Sequence, residues 1–186
     1  VVGFEAGRRA LRPVGAAGDQ HGIAEADKLP PDFSSAFLRH GQLCSPPQPA
    51  DLTRARICIG IDLAYTSKTY ADYSVAVVLA QMGSEHFILE VIREQLEARL
   101  FRDKLIALKG RYPTSTACAY VAATEQGGVE FIRDGGLRIS GLSAAKAGDK
   151  FTRALPVAAA CNSGLVKVPA ERADWTDAFL SEVCGF

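Results

Sequence analysis

The stretch Ile57-Cys58-Ile59-Gly60-Ile61-Asp62-Leu63-Ala64 constrains this chain more than any other. Odd and even positions are alike apolar, so the segment has no face to give to water, the pattern of a strand in the middle of a covered sheet. It carries one charge, Asp62, near its end. A carboxylate beside so much hydrocarbon is costly to bury unless something pairs with it. Asp62 must therefore cap the turn that follows or bind a cation at the end of the strand.

The remaining pattern says what surrounds that strand. A polar turn over residues 65–72 leads into a β-branched run, 73–81. Residues 82–85 read as a hairpin turn and 86–93 as a third strand. Leu96, Leu100, Phe101, Leu105, Ile106 and Leu108 fall near helical spacing and predict an amphipathic helix over about 96–112. A fourth strand is expected at 116–123, a short helix at 126–134 and a fifth strand at 137–142. A helix over about 150–162 should end at Gly164, followed by a brief extended piece at 165–168 and a last helix at 175–183. Strands joined by short turns cannot be mutually parallel, whereas the later strands have helical crossovers. The prediction is an α/β fold, a mixed sheet of order 3-2-1-4-5 flanked by helices, in which strands four and five run parallel to the first. That is a ribonuclease H-like architecture.

Residues 1–50 differ from the rest. They hold six of the nine prolines and no sustained periodicity, so they read as an irregular arm or linker, with a short helix near 34–40. Residues 51–186 then form one domain. The 21 basic and 21 acidic residues cancel, which still leaves room for a local basic patch and hence for nucleic acid. The longest apolar runs, such as Val75 to Ala80, are too short to span a bilayer. The start lacks a signal-peptide layout. The five cysteines include no C-x-x-C pair, which fits reduced thiols in a cytoplasmic protein.

Four acids are expected to converge on one rim of the sheet. Asp62 ends the first strand and Glu125 follows the fourth. Asp72 opens the antiparallel second strand, and Asp149 precedes the helix at 150. Carboxylates brought together repel unless a cation lies between them, and hard oxygen ligands favour Mg²⁺ or Mn²⁺ over zinc. Each also has a plainer role: a turn cap for Asp62, a helix N-cap for Asp149, a helix-dipole contact for Glu125. Lys68, Lys146, Lys150 and Arg153 fall near the same rim, with Lys150 and Arg153 on one helix face, where they would suit phosphate contacts. Trp175 is expected in the core.

With these residues laid out, the chain resembles the C-terminal nuclease domain of the large terminase subunit of tailed bacteriophages and prophages, from about Ile57 to Phe186. Three stretches carry the likeness: Gly60-Ile61-Asp62-Leu63-Ala64 with Ala71-Asp72-Tyr73-Ser74; Thr124-Glu125-Gln126-Gly127-Gly128; and Asp149-Lys150-Phe151-Thr152-Arg153-Ala154, continuing through Gly164, Pro169, Trp175, Phe179 and Glu182. The resemblance implies endonucleolytic cleavage of double-stranded DNA during genome packaging, with two divalent cations. Asp62 and Glu125 match the first two catalytic acids, and Lys150 and Arg153 match the basic pair. It also implies the phage portal and the small terminase subunit as partners, in the cytoplasm of a bacterial host. The family's third acid lies just past the position of Phe186, so the domain is expected to be truncated at its C-terminal side. No G-x-x-x-x-G-K-S/T loop occurs, so no ATP is expected on this stretch. Two other readings compete: a degenerate, non-catalytic domain with the same fold, and one lobe of an actin-like sugar kinase, whose phosphate hairpin begins with a similar Gly-Ile-Asp-Leu.

Overall fold

The apolar run from Ile57 forms an interior strand. The computed structural model describes residues 43–44, 47, 49–64, 73–122, 126–170 and 173–184. In chain order the elements are β1 (Leu43–Cys44), α1 (Pro49–Leu52), β2 (Arg56–Asp62), β3 (Ser74–Met82), β4 (Glu85–Glu94), α2 (Ala98–Arg111), β5 (Thr116–Val121), α3 (Gln126–Asp134), β6 (Ile139–Ser143), α4 (Ala144–Ala147), α5 (Lys150–Asn162), β7 (Val166–Pro169) and α6 (Thr176–Cys184).

The sheet has the order β1-β7-β4-β3-β2-β5-β6. The five predicted strands occupy β4-β3-β2-β5-β6, the 3-2-1-4-5 order expected from hairpins followed by crossovers. β2 and β3 are antiparallel, as are β3 and β4, while β5 is parallel to β2 and β6 to β5. The extended piece after α5 extends the sheet: as β7 it pairs parallel with β4, and the His86 N–H donates to the Leu165 carbonyl at 2.8 Å. β1 adds two more residues beyond β7.

Helices cover both faces. On the first face, Ile57, Ile59 and Ile61 of β2, Ala76, Val78 and Ala80 of β3, and Ala117 and Ala119 of β5 pack with Phe101, Leu105 and Leu108 of α2 and Val129 and Ile132 of α3. The run of alanines lets the helices approach closely, and Phe101, Leu105 and Leu108 repeat at the four-then-three spacing of one helical stripe. Leu100 and Ile106, assigned to that stripe by periodicity, instead face solvent at 42% and 40% exposure. On the second face, Val75, Ile88, Val91 and Val168 lie under Trp175 and under Phe179 and Leu180 of α6. Ile88 and Val91 share that face although three apart, because β4 bulges at Leu89 between the Val78 and Leu79 pairings.

Beyond α6 this second face is less closed. Cys58, Gly60 and Asp62 alternate with the three isoleucines and are half-buried. β2 is therefore fully buried on one face only, which departs from the reading of its sequence as equally apolar on both.

Candidate active site

Strand alternation sets the site. With the isoleucines of β2 turned into the first core, Asp62 lies on the second face, at the C-terminal end of the strand. It is paired in register with Val75 of β3, and Val75 in turn with Arg93 of β4. On the other side β5 runs parallel, with Ile61 opposite Ala119, so that Tyr120 falls on the same face and at the same end as Asp62. One row across the sheet thus contains Tyr120, Asp62, Val75 and Arg93.

Two arginines meet this row, Arg153 at Tyr120 and Arg93 as its own last member. Arg153, in the first turn of α5, holds its guanidinium 4.9 Å from the centre of the Tyr120 ring, and its Nη1 donates to the Gly148 carbonyl at 2.7 Å. Its Nε is buried and has no hydrogen-bond partner among the described residues. Arg93 lies 3.4 Å over the Tyr73 ring, and its Nε donates to Glu182 Oε2 of α6 at 2.6 Å. Both arginines lie over an aromatic face, but only Arg153 keeps its charge there, since Arg93 is also paired with the Glu182 carboxylate. The floor between β3, β4 and α6 is a cleft of about 300 Å³ whose lining includes Val75, Arg93, Glu94, Trp175, Phe179 and Glu182. Trp175 meets Phe179 edge to face at 5.9 Å, which answers the expectation that it belongs to the core.

The backbone around Asp62 is tied down by Ser74. Its hydroxyl is buried and accepts the N–H of Ala64, two residues past Asp62, at 3.1 Å. The link spans the two strands that leave and re-enter the sheet at this rim.

The predicted site residues fall into three groups. Asp62 and Arg153 share a face and an end of the sheet. Asp149 is the N-cap of α5: its Oδ1 accepts the Thr152 N–H at 2.7 Å. Gly148 before it has φ +86°, and a Cβ there would come within 3.0 Å of Thr152 Cγ2, so the entry to α5 requires glycine. Lys146 is exposed in α4, and Lys150 begins α5. Glu125, Asp72 and Lys68 lie outside the described residues. Among the described residues no three His, Cys, Asp or Glu side chains come together as a metal cluster. Ser74, Arg93 and Tyr120 are not among the predicted site residues, and Glu182 enters the prediction only as part of a motif. The alternation of β2, β3 and β5 could have placed Ser74 and Tyr120, but nothing local joins Arg93 to Glu182, 89 residues apart.

No family model matches the chain, and no curated protein does. Solved structures do. The large terminase nuclease from thermophilic phage G20c with bound zinc aligns at a TM-score of 0.56 and 20% identity, over 81% of this chain and 80% of that one. The same nuclease with bound magnesium aligns at 0.56 and 19% identity, over 81% and 73%. The large terminase from a second thermophilic bacteriophage, in complex with ATP-gamma-S, aligns at 0.57 and 10% identity, over 81% of this chain but 36% of that one. The fold is thus the ribonuclease H-like fold of terminase nucleases.

Proposed function

We propose that this chain is the nuclease domain of a phage or prophage large terminase, a divalent-metal-dependent endodeoxyribonuclease that cuts double-stranded DNA for packaging. The observation that carries the reading is the position of Asp62, at the end of an interior strand and in one row with Tyr120, over which Arg153 is held, in a fold shared with terminase nucleases. The donor chemistry fits the metal. Asp62 is a half-buried hard-oxygen ligand, the type that binds Mg²⁺ or Mn²⁺. When bound, two such cations lower the pKa of an attacking water and stabilise the leaving 3′ oxygen.

The chain's own residues then divide the work. Asp62 and Glu125 would hold the ions, and Asp72 or Asp149 would supply a further oxygen. Lys68, Lys146, Lys150 and Arg153 hold the DNA backbone through its phosphates, with Arg153 prealigned by Tyr120 and Gly148. In such a terminase the portal and the small subunit would be the partners, in the bacterial cytoplasm. No helix among the described residues is long and apolar enough to cross a membrane. The sequence carries no G-x-x-x-x-G-K-S/T phosphate-binding loop.

Plasmid nicking in Mn²⁺ and in Mg²⁺ tests the proposal, comparing the chain with Asp62→Ala. Weak, non-specific nicking is expected in Mn²⁺, which tolerates imperfect geometry, little in Mg²⁺, and none from the variant. Equal nicking by both proteins would sink the assignment. A second reading, a non-catalytic domain that keeps the fold, draws on Asp149, one oxygen of which is already committed to the α5 N-terminus. DNA retention without nicking in either metal would favour it.

A further inference from the structure

Two thiols on the second face of the sheet are used by nothing above. Cys58 of β2 and Cys118 of β5 are on neighbouring parallel strands, both half-buried, with their sulfurs 3.5 Å apart. In register Cys58 faces Thr116 and Cys118 faces Gly60, so the two are diagonal neighbours. Gly60 has no side chain to separate them, and Cys118 lies between the level of Cys58 and that of Asp62. The hydrogen bond shared by the two thiols lowers the Cys58 pKa to about 6, with Thr116 adding to the effect against the opposing cost of burial. The same contact, together with burial, pushes the Cys118 thiol up. The pair therefore gives up its first proton from Cys58 and keeps the second on Cys118. Ionised, partly exposed thiols with a second thiol in reach are the ones that react with oxidants.

We propose that Cys58 is a site of reversible oxidative modification, attacked by hydroperoxides and resolved by Cys118 as a disulfide joining β2 to β5. In the first step the Cys58 thiolate attacks a peroxide oxygen. The S–O bond forms and the O–O bond breaks. Sulfur loses two electrons, the peroxide gains them, and the departing hydroxide or alkoxide takes a proton from water. In the second step Cys118 gives up its proton and attacks the Cys58 sulfenic acid, forming the S–S bond as the S–O bond breaks and water leaves. The sulfurs must close from 3.5 Å to the ~2.05 Å of a disulfide across a diagonal pairing.

Peptide mapping of the full chain after treatment with hydrogen peroxide, without reductant, is the test. The expected product links the Cys58 and Cys118 peptides with loss of two hydrogens, and glutathione reverses it. In Cys118→Ala, a substitution like its neighbours Ala117 and Ala119, Cys58 should stop at sulfenic acid, trapped by dimedone. Alkylation of Cys58 by iodoacetamide should stay fast in the native chain down to pH about 6, because the thiolate persists above its lowered pKa. In Cys118→Ala the profile should move toward the ordinary thiol value of about 8.5. Oxidation of Cys161 or Cys44 ahead of Cys58, or a persistent Cys58 sulfenic acid in the native chain, would overturn the proposal. Should Cys118→Ala fail to fold by circular dichroism, the map of the native chain decides alone.

Discussion

At the scale of single residues, the rim of the sheet is held by side chains whose roles depend on which face they occupy. Ser74 illustrates this. One residue along β3 from the Val75 that pairs with Asp62, it is 5% exposed and spends its hydroxyl on the N–H of Ala64. Replacing it with alanine leaves that N–H without its partner, a loss of about 1–2 kcal/mol. Urea denaturation of Ser74→Ala should show a drop of that order. Nicking in Mn²⁺ should fall beyond what the lost stability explains, because the backbone carrying Asp62 is loosened. A stability loss with unchanged activity in the fully folded range would mean that Ser74 supports the fold and not the site.

At the scale of elements, α5 is the piece that brings cations to the rim, and its two ends are built by different devices. Asp149 caps the start behind Gly148. The end is a Schellman turn, in which the Leu165 N–H reaches the Ala160 carbonyl at 2.9 Å and the Gly164 N–H the Cys161 carbonyl at 2.9 Å, with Gly164 at φ +69°. That turn delivers the chain directly into β7. The cap also separates the two roles open to Asp149. Asp149→Ala removes the cap and should cost about 1 kcal/mol, whereas Asp149→Asn keeps it. If Asp149 also serves a metal, Asp149→Asn should leave thermal unfolding unchanged and still lose Mn²⁺-dependent nicking. Full activity in Asp149→Asn would restrict the residue to capping. Periodicity foresaw α5 because its apolar spacing is local. It did not foresee α4 or the bulge at Leu89, since a four-residue helix and a single extra residue leave no period in the sequence.

At the scale of the whole molecule, charge is balanced in total but not in placement. The net charge is zero, and several cations of the first face are engaged by acids: Lys104 by Glu94 and Arg111 by Glu90. At the rim, Arg153 is held by an aromatic ring and a carbonyl, which leaves its positive charge in place. DNA binding through such a rim releases counterions and must weaken with salt. With Lys68, Lys146, Lys150 and Arg153 as the contacts, the slope of log K against log salt should be about −3 to −4, less steep by about one unit in Arg153→Ala. Binding that ignores salt, or an unchanged slope in the variant, would remove these residues from the interface.

The sequence by itself determined the order of five strands of the sheet and the place of Asp62 at the end of one of them. Links without a helix favour antiparallel neighbours and helical links allow parallel ones, so β4-β3-β2-β5-β6 follows from the connections and apolar runs, which are local properties. Asp62 stood out for the same reason, a lone charge in a strand of hydrocarbon. Only the tertiary structure decided what lies across from it. The clip of Arg93 on Glu182, the stacking of Arg153 on Tyr120, the reach of Ser74 to Ala64, the pairing of Cys58 with Cys118 and the addition of β7 to the sheet join residues that no period or spacing relates. These contacts form where the twist of the sheet and the packing of α5 and α6 bring distant segments together. A side chain's partner across the fold is set by the geometry of the completed chain, while its own preference for helix, strand or turn is set by its neighbours in sequence.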